Sequence, residues 1–387
     1  MAAREKRAQT TLPTIPLEEA ESFYQRVLAW FDRHGRKDLP WQQPRDPYRI
    51  WVSEIMLQQT QVNTVIGYFE RFIQSFPDIP TLAAADPDKV MHHWSGLGYY
   101  ARARNLHRAA GEVMTRHQGV LPDDLDSLQA LPGVGRSTAG AICSLAFDAY
   151  APILDGNVKR VLARHFTISG WPGNNAVQKQ LWRLNEQLTP HRQTAQYNQA
   201  MMDLGATCCV RGKPLCDTCP LAQSCQALAE GDVSRYPAPK PKKILPVRAT
   251  RMLILTDPAG DILLEQRPPS GIWGGLWSLP ECPPDQPLKA WCREVLGCDV
   301  EECDHLQQRR HTFSHFHLDI TPVMVAVKNP AKGLMDAGPR VWYKLSQPDD
   351  RGLAAPVSRI LREIDRQISE HQSGGEAPWA VPYNASD

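Results

Sequence analysis

The sequence predicts two units of different class in series: an all-α part over residues 18–230 and a smaller α+β part over 248–369. Three observations lead there. Apolar residues in the first part recur at helical spacing, and Asp-Pro pairs mark helix starts. Residues 236–248, YPAPKPKKILPVR, are rich in proline and lysine and read as part of an extended linker over 231–247. Past that linker the pattern changes to short apolar runs separated by turn residues. A chain of 387 residues, 42% of them hydrophobic, is long enough for two buried cores.

Each element has its own signal. Val27, Leu28, Trp30 and Phe31 form one apolar stripe, and Leu181, Trp182, Leu184 and Leu188 form another. Asp46-Pro47 and Asp86-Pro87 read as an N-cap followed by proline at the first helical position. In the second part, Met252–Thr256 and Ile262–Gln266 flank Asp257-Pro258-Ala259-Gly260, which predicts a β-hairpin. Thr321–Lys328 and Val341–Tyr343 read as strands, and Leu288–Leu296 and Val357–Glu370 as helices. Residues 370–387 read as a loose tail.

Composition narrows the function. No apolar run approaches the roughly 18 residues of a membrane span, and MAAREKRAQTTLP has no apolar core of a secretory signal. A reducing, cytoplasmic setting follows as an expectation. Residues 1–250 carry 29 Lys and Arg against 23 Asp and Glu, and residues 251–387 carry 14 against 19, beneath a net charge of +1. The basic first part suits a polyanion.

Residues 125–147 carry a helix-hairpin-helix pattern. A short helix runs into Leu131-Pro132-Gly133-Val134-Gly135, and a second begins near Arg136. Gly133 and Gly135 permit a turn that ordinary side chains would block. Backbone N–H groups at such a turn, with the following helix N-terminus, can hold a DNA phosphate. The plain alternative is a helical corner.

Two carboxylates stand out. Glu54 lies in Ile50–Gln61, where Glu54, Gln58 and Gln61, at i, i+4 and i+7, form one polar helical stripe. Framed by Trp51, Ile55 and Met56, Glu54 can be desolvated and keep its proton near neutral pH. Its ordinary reading is a solvated helix glutamate. Asp155 follows the apolar run Ile153-Leu154 and precedes a helical pattern, so its ordinary reading is an N-cap. A cap at a buried helix start is also a carboxylate fixed in position.

Five cysteines fall within residues 208–225. Taking Cys209 first gives C-x6-C-x2-C-x5-C through Cys216, Cys219 and Cys225. Thiolates at that spacing ligate tetrahedral zinc or an iron–sulfur cluster. Cys208, Cys143 and the C-terminal cysteines have no ligand spacing and read as packed apolar residues.

Together these motifs resemble one family. Leu39–Trp41 (LPW), Ser53–Val62 (SEIMLQQTQV), Gly96–Asn105 (GLGYYARARN), Leu131–Ile142 (LPGVGRSTAGAI), Leu154–Leu162 (LDGNVKRVL) and the cysteine pattern resemble the MutY-type adenine DNA glycosylases, in unbroken order over about residues 20–350. The resemblance implies a monomer that removes adenine opposite 8-oxoguanine or guanine in double-stranded DNA. It implies a [4Fe–4S] cluster on Cys209, Cys216, Cys219 and Cys225, in a loop whose Arg211 and Lys213 meet phosphates. It implies Glu54 as the acid that protonates adenine and Asp155 as the ionised partner of the oxocarbenium-like sugar. Gln58, Gln59 and Tyr99 match the strand-wedging positions, and Trp41 and Gln199 the adenine pocket.

Endonuclease III-type relatives carry a strand-cleaving lysine where this chain has Ser137, so base removal without efficient strand cleavage is expected. The C-terminal part resembles a Nudix-like domain in Leu264–Pro268 and Gly274–Glu281. It lacks the acidic metal box, because Arg293-Glu294-Val295 is followed by Leu296-Gly297. A binding module is expected, with Phe313-Ser314-His315 probing 8-oxoguanine. The run Arg310–Leu318 reads as strand-like, with His311, His315 and His317 alternating. Two rivals stay open: a glycosylase/lyase for damaged pyrimidines, and a non-catalytic cluster-containing DNA sensor.

Overall fold

The computed structural model describes residues 14–242, 244–257, 259–329 and 339–372. The chain divides into two compact units. One joins the chain up to Ala83 with Arg108–Lys242, and the other joins Ala84–His107 with the chain from Lys243.

The helices before the linker are α1 (Leu17–His34), α2 (Pro47–Leu57), α3 (Val62–Ser75), α4 (Ile79–Ala84), α5 (Pro87–Trp94), α6 (Ala101–Arg116), α7 (Leu125–Ala130), α8 (Arg136–Phe147), α9 (Gly156–His165), α10 (Asn175–Leu188), α11 (Thr194–Asp203) and α12 (Gln226–Ala229). The Asp-Pro starts are as expected. Asp46 accepts the Arg49 N–H at 2.8 Å and Asp86 the Asp88 N–H at 2.7 Å, each with proline in the first turn. Phe23, Val27, Trp30 and Phe31 of α1 pack with Leu181, Leu184 and Leu188 of α10, and with Tyr197 and Met201 of α11, in one core. That core also holds Leu154 and Val158, so it fixes the N-terminus of α9 from below.

The second unit is built on an eight-stranded mixed sheet among the described residues. Its strands are β1 (Val247–Thr256), β2 (Ile262–Gln266), β3 (Trp277–Ser278), β4 (Glu281–Cys282), β5 (Asp299–His305), β6 (Arg309–Thr312), β7 (His317–Asn329) and β8 (Arg340–Tyr343). The main order is β3-β2-β1-β7-β5, with β4 beside β1, β6 beside β7 and β8 beside β2. β1 and β2 are antiparallel, as the hairpin reading expects, while β1 runs parallel to β7 from Val247↔His317 to Thr256↔Ala326. Leu253, Leu255, Val323 and Val325 bury one face of that pair against Leu288, Trp291 and Leu296.

Four sequence readings need correction. α2 stops at Leu57, so Gln61 is not on the Glu54 stripe; it is the cap residue of α3. Arg310–Leu318 is not one strand but two, with a turn closed by the Phe313 N–H to the Phe316 carbonyl at 2.9 Å. Leu288–Leu296 is an α-helix only to Trp291 and then widens into a π-helical turn over Cys292–Leu296. The last helix, Ala355–Gln372, continues past residue 370, where the tail was expected to begin. The remaining tail lies outside the described residues. Among the described residues no helix is long and apolar enough to cross a membrane.

Candidate active site

Two helices bring the carboxylates together. α2 carries Glu54 between the fully buried Trp51, Ile55 and Met56. Asp155 caps α9, its Oδ1 accepting the N–H groups of Asn157 at 3.0 Å and Val158 at 2.7 Å. Its Oδ2 accepts the Asn157 amide N–H at 2.9 Å. Both side chains are half-buried.

Their protonation states differ for physical reasons. Burial, and then the Asp155 charge, push the Glu54 carboxyl up to about 8. Burial also leaves Asp155 raised overall, a rise that its three hydrogen bonds and the Arg160 charge only partly offset. Glu54 has no such opposing interaction. Burial, helped by the neighbouring Asp155 charge, thus keeps a proton on Glu54 near neutral pH. A protonated carboxyl beside a second carboxyl fixed by N–H donors suits protonation of a leaving group and stabilisation of a cation.

The hairpin lies against this pair. α7 and α8 flank Leu131–Gly135, as expected for residues 125–147. Gly133 has φ +80, which favours glycine. Gly135 has φ −92, so its own backbone does not demand glycine, contrary to the sequence reading. An added Cβ there would meet nothing within 4 Å, so the bare surface serves what approaches from outside. Ser137, in the first turn of α8, accepts the Leu154 N–H on its hydroxyl at 3.0 Å. Gln58 donates to Thr138 Oγ1 at 3.2 Å and to the Gly133 carbonyl at 3.4 Å. Gln59 follows with φ +60 and is exposed.

Trp41 and Gln199 line one cavity of about 220 Å³ with Arg36, Gln42, Ile50 and Gln196. Glu54 and Asp155 are not among its lining residues. Gln199 is held by a feature sequence reading missed. Its amide donates to the buried Asp203 at 2.9 Å, and Arg36 donates to the same carboxylate from Nε at 3.0 Å and Nη2 at 2.5 Å. Gln199 and Asp203 are four apart on α11, so helical spacing was the available signal.

Cys209, Cys216, Cys219 and Cys225 line a narrow cavity with Cys208, Arg164 and Leu215. All five thiols are free. Among the described residues no three or more His, Cys, Asp or Glu side chains already surround one point as metal ligands. The donor set still suits a thiolate-ligated group. Four thiols share a wall with a guanidinium, and Arg164 donates to Cys209 Sγ at 3.3 Å. Cys208 is buried in the helical core, and its thiol donates to the Leu215 carbonyl at 3.4 Å. One face of α9 joins this loop to the carboxylates. Arg160 donates to the Cys209 carbonyl at 2.8 Å and to Asn157 Oδ1 at 2.9 Å, and Asn157 holds Asp155. Asn157, Arg160 and Arg164 follow helical spacing but were not singled out in the sequence.

Tyr99 and Phe313-Ser314-His315 belong to the second unit. Tyr99 is 52% exposed with φ +49. Phe313 stacks on Phe316 at 4.7 Å and tilts against Trp273 at 5.1 Å. Ser314 and His315 are exposed at the turn.

Known proteins match this arrangement. Residues 52–187 match the HhH-GPD superfamily of base excision DNA repair proteins, and residues 251–363 match the NUDIX domain. A thermostable thymine-DNA glycosylase superposes with a TM-score of 0.50 at 28% identity, over 55% of this chain and 98% of that one. Fold and site thus define a base excision DNA glycosylase. Within that class the chain belongs to the adenine DNA glycosylases. That of Buchnera aphidicola from Acyrthosiphon pisum is 39% identical over 346 residues, covering 89% of this chain and 98% of its own. The human one is 36% identical over 92% of this chain and 76% of its own. The reaction is hydrolysis of an N-glycosidic bond to adenine in DNA.

Proposed function

We propose that this chain excises adenine mispaired with 8-oxoguanine or guanine in double-stranded DNA, and leaves the strand uncut. The observation that carries the reading is the carboxylate pair. Glu54 is held protonated by burial, and Asp155 is aimed by three N–H donors that oppose the rise burial gives it. The target nucleotide must leave the stack to reach these two carboxylates. Glu54 delivers its proton to the adenine, which then departs as a neutral base. Positive charge grows on the sugar, and Asp155 faces it without having to reorganise, because the α9 terminus already fixes its oxygens. Water completes the hydrolysis.

Ser137 supports the uncut-strand part of the reading. A hydroxyl cannot form an imine with the sugar aldehyde, and this one is engaged with Leu154. Cys209, Cys216, Cys219 and Cys225 would hold a [4Fe–4S] cluster, whose contribution when bound is to fix the shape of their loop. That loop exposes Arg211 and Lys213 toward solvent, where they can meet phosphates. The hairpin at Gly133–Gly135 offers backbone N–H groups to the same backbone. Ser314 can hydrogen-bond the altered edge of 8-oxoguanine.

The test is single-turnover excision by Glu54→Gln on an A:8-oxoG duplex. The reading expects binding close to wild type and a rate lower by about 10²–10⁴-fold. Wild-type rates from the glutamine variant would place the proton donor elsewhere.

A further inference from the structure

Residues 84–107 pack with the C-terminal sheet, and two polar grips hold them there. Asp88, in the first turn of α5, accepts the Trp277 indole N–H at 3.0 Å on one oxygen and the Gln266 amide N–H at 3.0 Å on the other. Arg104, in α6, donates from Nη1 to the Gly274 carbonyl at 2.5 Å. The contact beneath α5 is tight, since a Cβ added to Gly352 would lie 2.7 Å from that of Met91.

Between α5 and α6 the chain turns through Tyr99. A non-glycine residue in the left-handed region is strained, so its surroundings must over-determine it. They do. Arg102 donates to the Gly98 carbonyl at 3.0 Å, and Trp94 donates to it at 3.2 Å. The Arg102 guanidinium lies 5.5 Å from the Tyr99 ring centre. The turn is thus rigid with respect to the two helices that flank it.

The far end of the Arg104 grip is just as constrained. Gly274 follows Trp273, itself at φ +51, and an added Cβ on Gly274 would lie 2.7 Å from the Pro269 carbonyl oxygen. Trp273 packs edge-on to His311 at 5.3 Å and tilts against Phe313 at 5.1 Å. An unbroken set of contacts therefore runs from the Phe313–His315 turn through Trp273, Gly274 and Arg104 to the Tyr99 turn.

We propose that Asp88 and Arg104 are positioning residues for lesion discrimination, locking the Tyr99 turn to the Phe313–His315 turn so that both meet the duplex as one piece. The proposal rests on the function proposed above, in which Ser314 of the Phe313 turn reads 8-oxoguanine, and on the strand-wedging position that Tyr99 matches by resemblance. Neither Asp88 nor Arg104 touches the reacting atoms. Their effect falls on the difference between 8-oxoguanine and guanine, because only the lesion-bearing duplex gives the Phe313 turn something to register.

The experiment uses the full-length, cluster-loaded chain and single-turnover excision from A:8-oxoG and A:G duplexes. Variants are chosen with melting temperatures near wild type. Arg104→Met and Asp88→Asn should lower the 8-oxoG-over-G rate ratio about tenfold, the worth of one charge-assisted hydrogen bond, while the A:G rate stays within about twofold. Arg104→Lys, which can still donate to Gly274, should recover most of the ratio. In a Ser314→Ala background Arg104→Met should cost little more, because the two act through one route. An unchanged ratio, an equal loss on both duplexes, or full additivity with Ser314→Ala overturns the inference while wild-type excision leaves the functional reading standing. If wild type removes adenine from neither duplex, the functional reading fails and this inference falls with it.

Discussion

The Ser137 hydroxyl accepts the Leu154 N–H at 3.0 Å, one residue ahead of Asp155. The side chain found where endonuclease III-type proteins are expected to carry a lysine here holds the backbone that leads to Asp155, the carboxylate proposed to face the sugar. Ser137→Ala should therefore lower stability by about 1 kcal/mol through a lost, partly buried hydrogen bond, read as a drop in melting temperature. Borohydride should trap little wild-type enzyme on A:8-oxoG DNA, and strands should break only on alkali or heat. Ser137→Lys should raise trapping from that baseline. Efficient trapping of wild type at the rate of base loss would contradict excision without strand cleavage.

Glu54 makes both activity and stability depend on pH. Its carboxyl is raised to about 8 in the folded chain, from an ordinary value of 4.5. The acid form is lost above that point, so the single-turnover rate should fall as pH rises through about 8. The sign for stability is the same. Between about 4.5 and 8 the folded chain holds a proton that the unfolded chain has released, and each pH unit costs up to about 1.4 kcal/mol. This contribution is complete below pH 4.5 and gone above 8. Glu54→Gln should flatten the decline, measured as melting temperature against pH. Parallel profiles for the two proteins would show that Glu54 titrates as an ordinary glutamate.

Asp155 separates structure from chemistry. Asparagine caps a helix about as well as aspartate, so Asp155→Asn should change stability by less than about 1 kcal/mol. It removes the charge, so excision should fall by about 10²–10³-fold with DNA binding retained. A normal excision rate would leave Asp155 as a cap alone.

Cys208 and Cys216 test the ligand assignment. Cys208 packs in the helical core and gives its thiol to the Leu215 carbonyl, whereas Cys216 is half-exposed on the cavity wall. Iron and sulfide analysis should find about four of each per wild-type chain, with a broad visible absorbance. Cys208→Ser should keep that signature and Cys216→Ser should lose it. Stoichiometric zinc in colourless wild-type protein would replace the cluster with a tetrahedral site.

Much of this molecule was legible because its signals are local. Asp46, Asp86 and Asp155 announce helix starts within two or three residues, and each caps the helix it precedes. Gly133 announces its turn in the same way. What was not legible depends on distant partners. The parallel pairing of β1 with β7 joins Val247 to His317, and nothing in either run names the other. The Glu54 stripe was carried to Gln61 because polar periodicity does not stop where α2 stops, at Leu57. Asp88 carries no hint that it grips Trp277, since the two lie 189 residues apart. Arg160 and Arg164 likewise carry no local sign that they donate to the carbonyls of the cysteine loop.

The central claim is adenine excision directed by the base opposite, and single-turnover rates on otherwise identical A:8-oxoG, A:G and A:T duplexes test it most directly. The account predicts fast adenine release from A:8-oxoG, slower release from A:G, and essentially none from A:T, with intact strands until alkali is added. Equal release from all three duplexes, or release of a damaged pyrimidine in place of adenine, would contradict it.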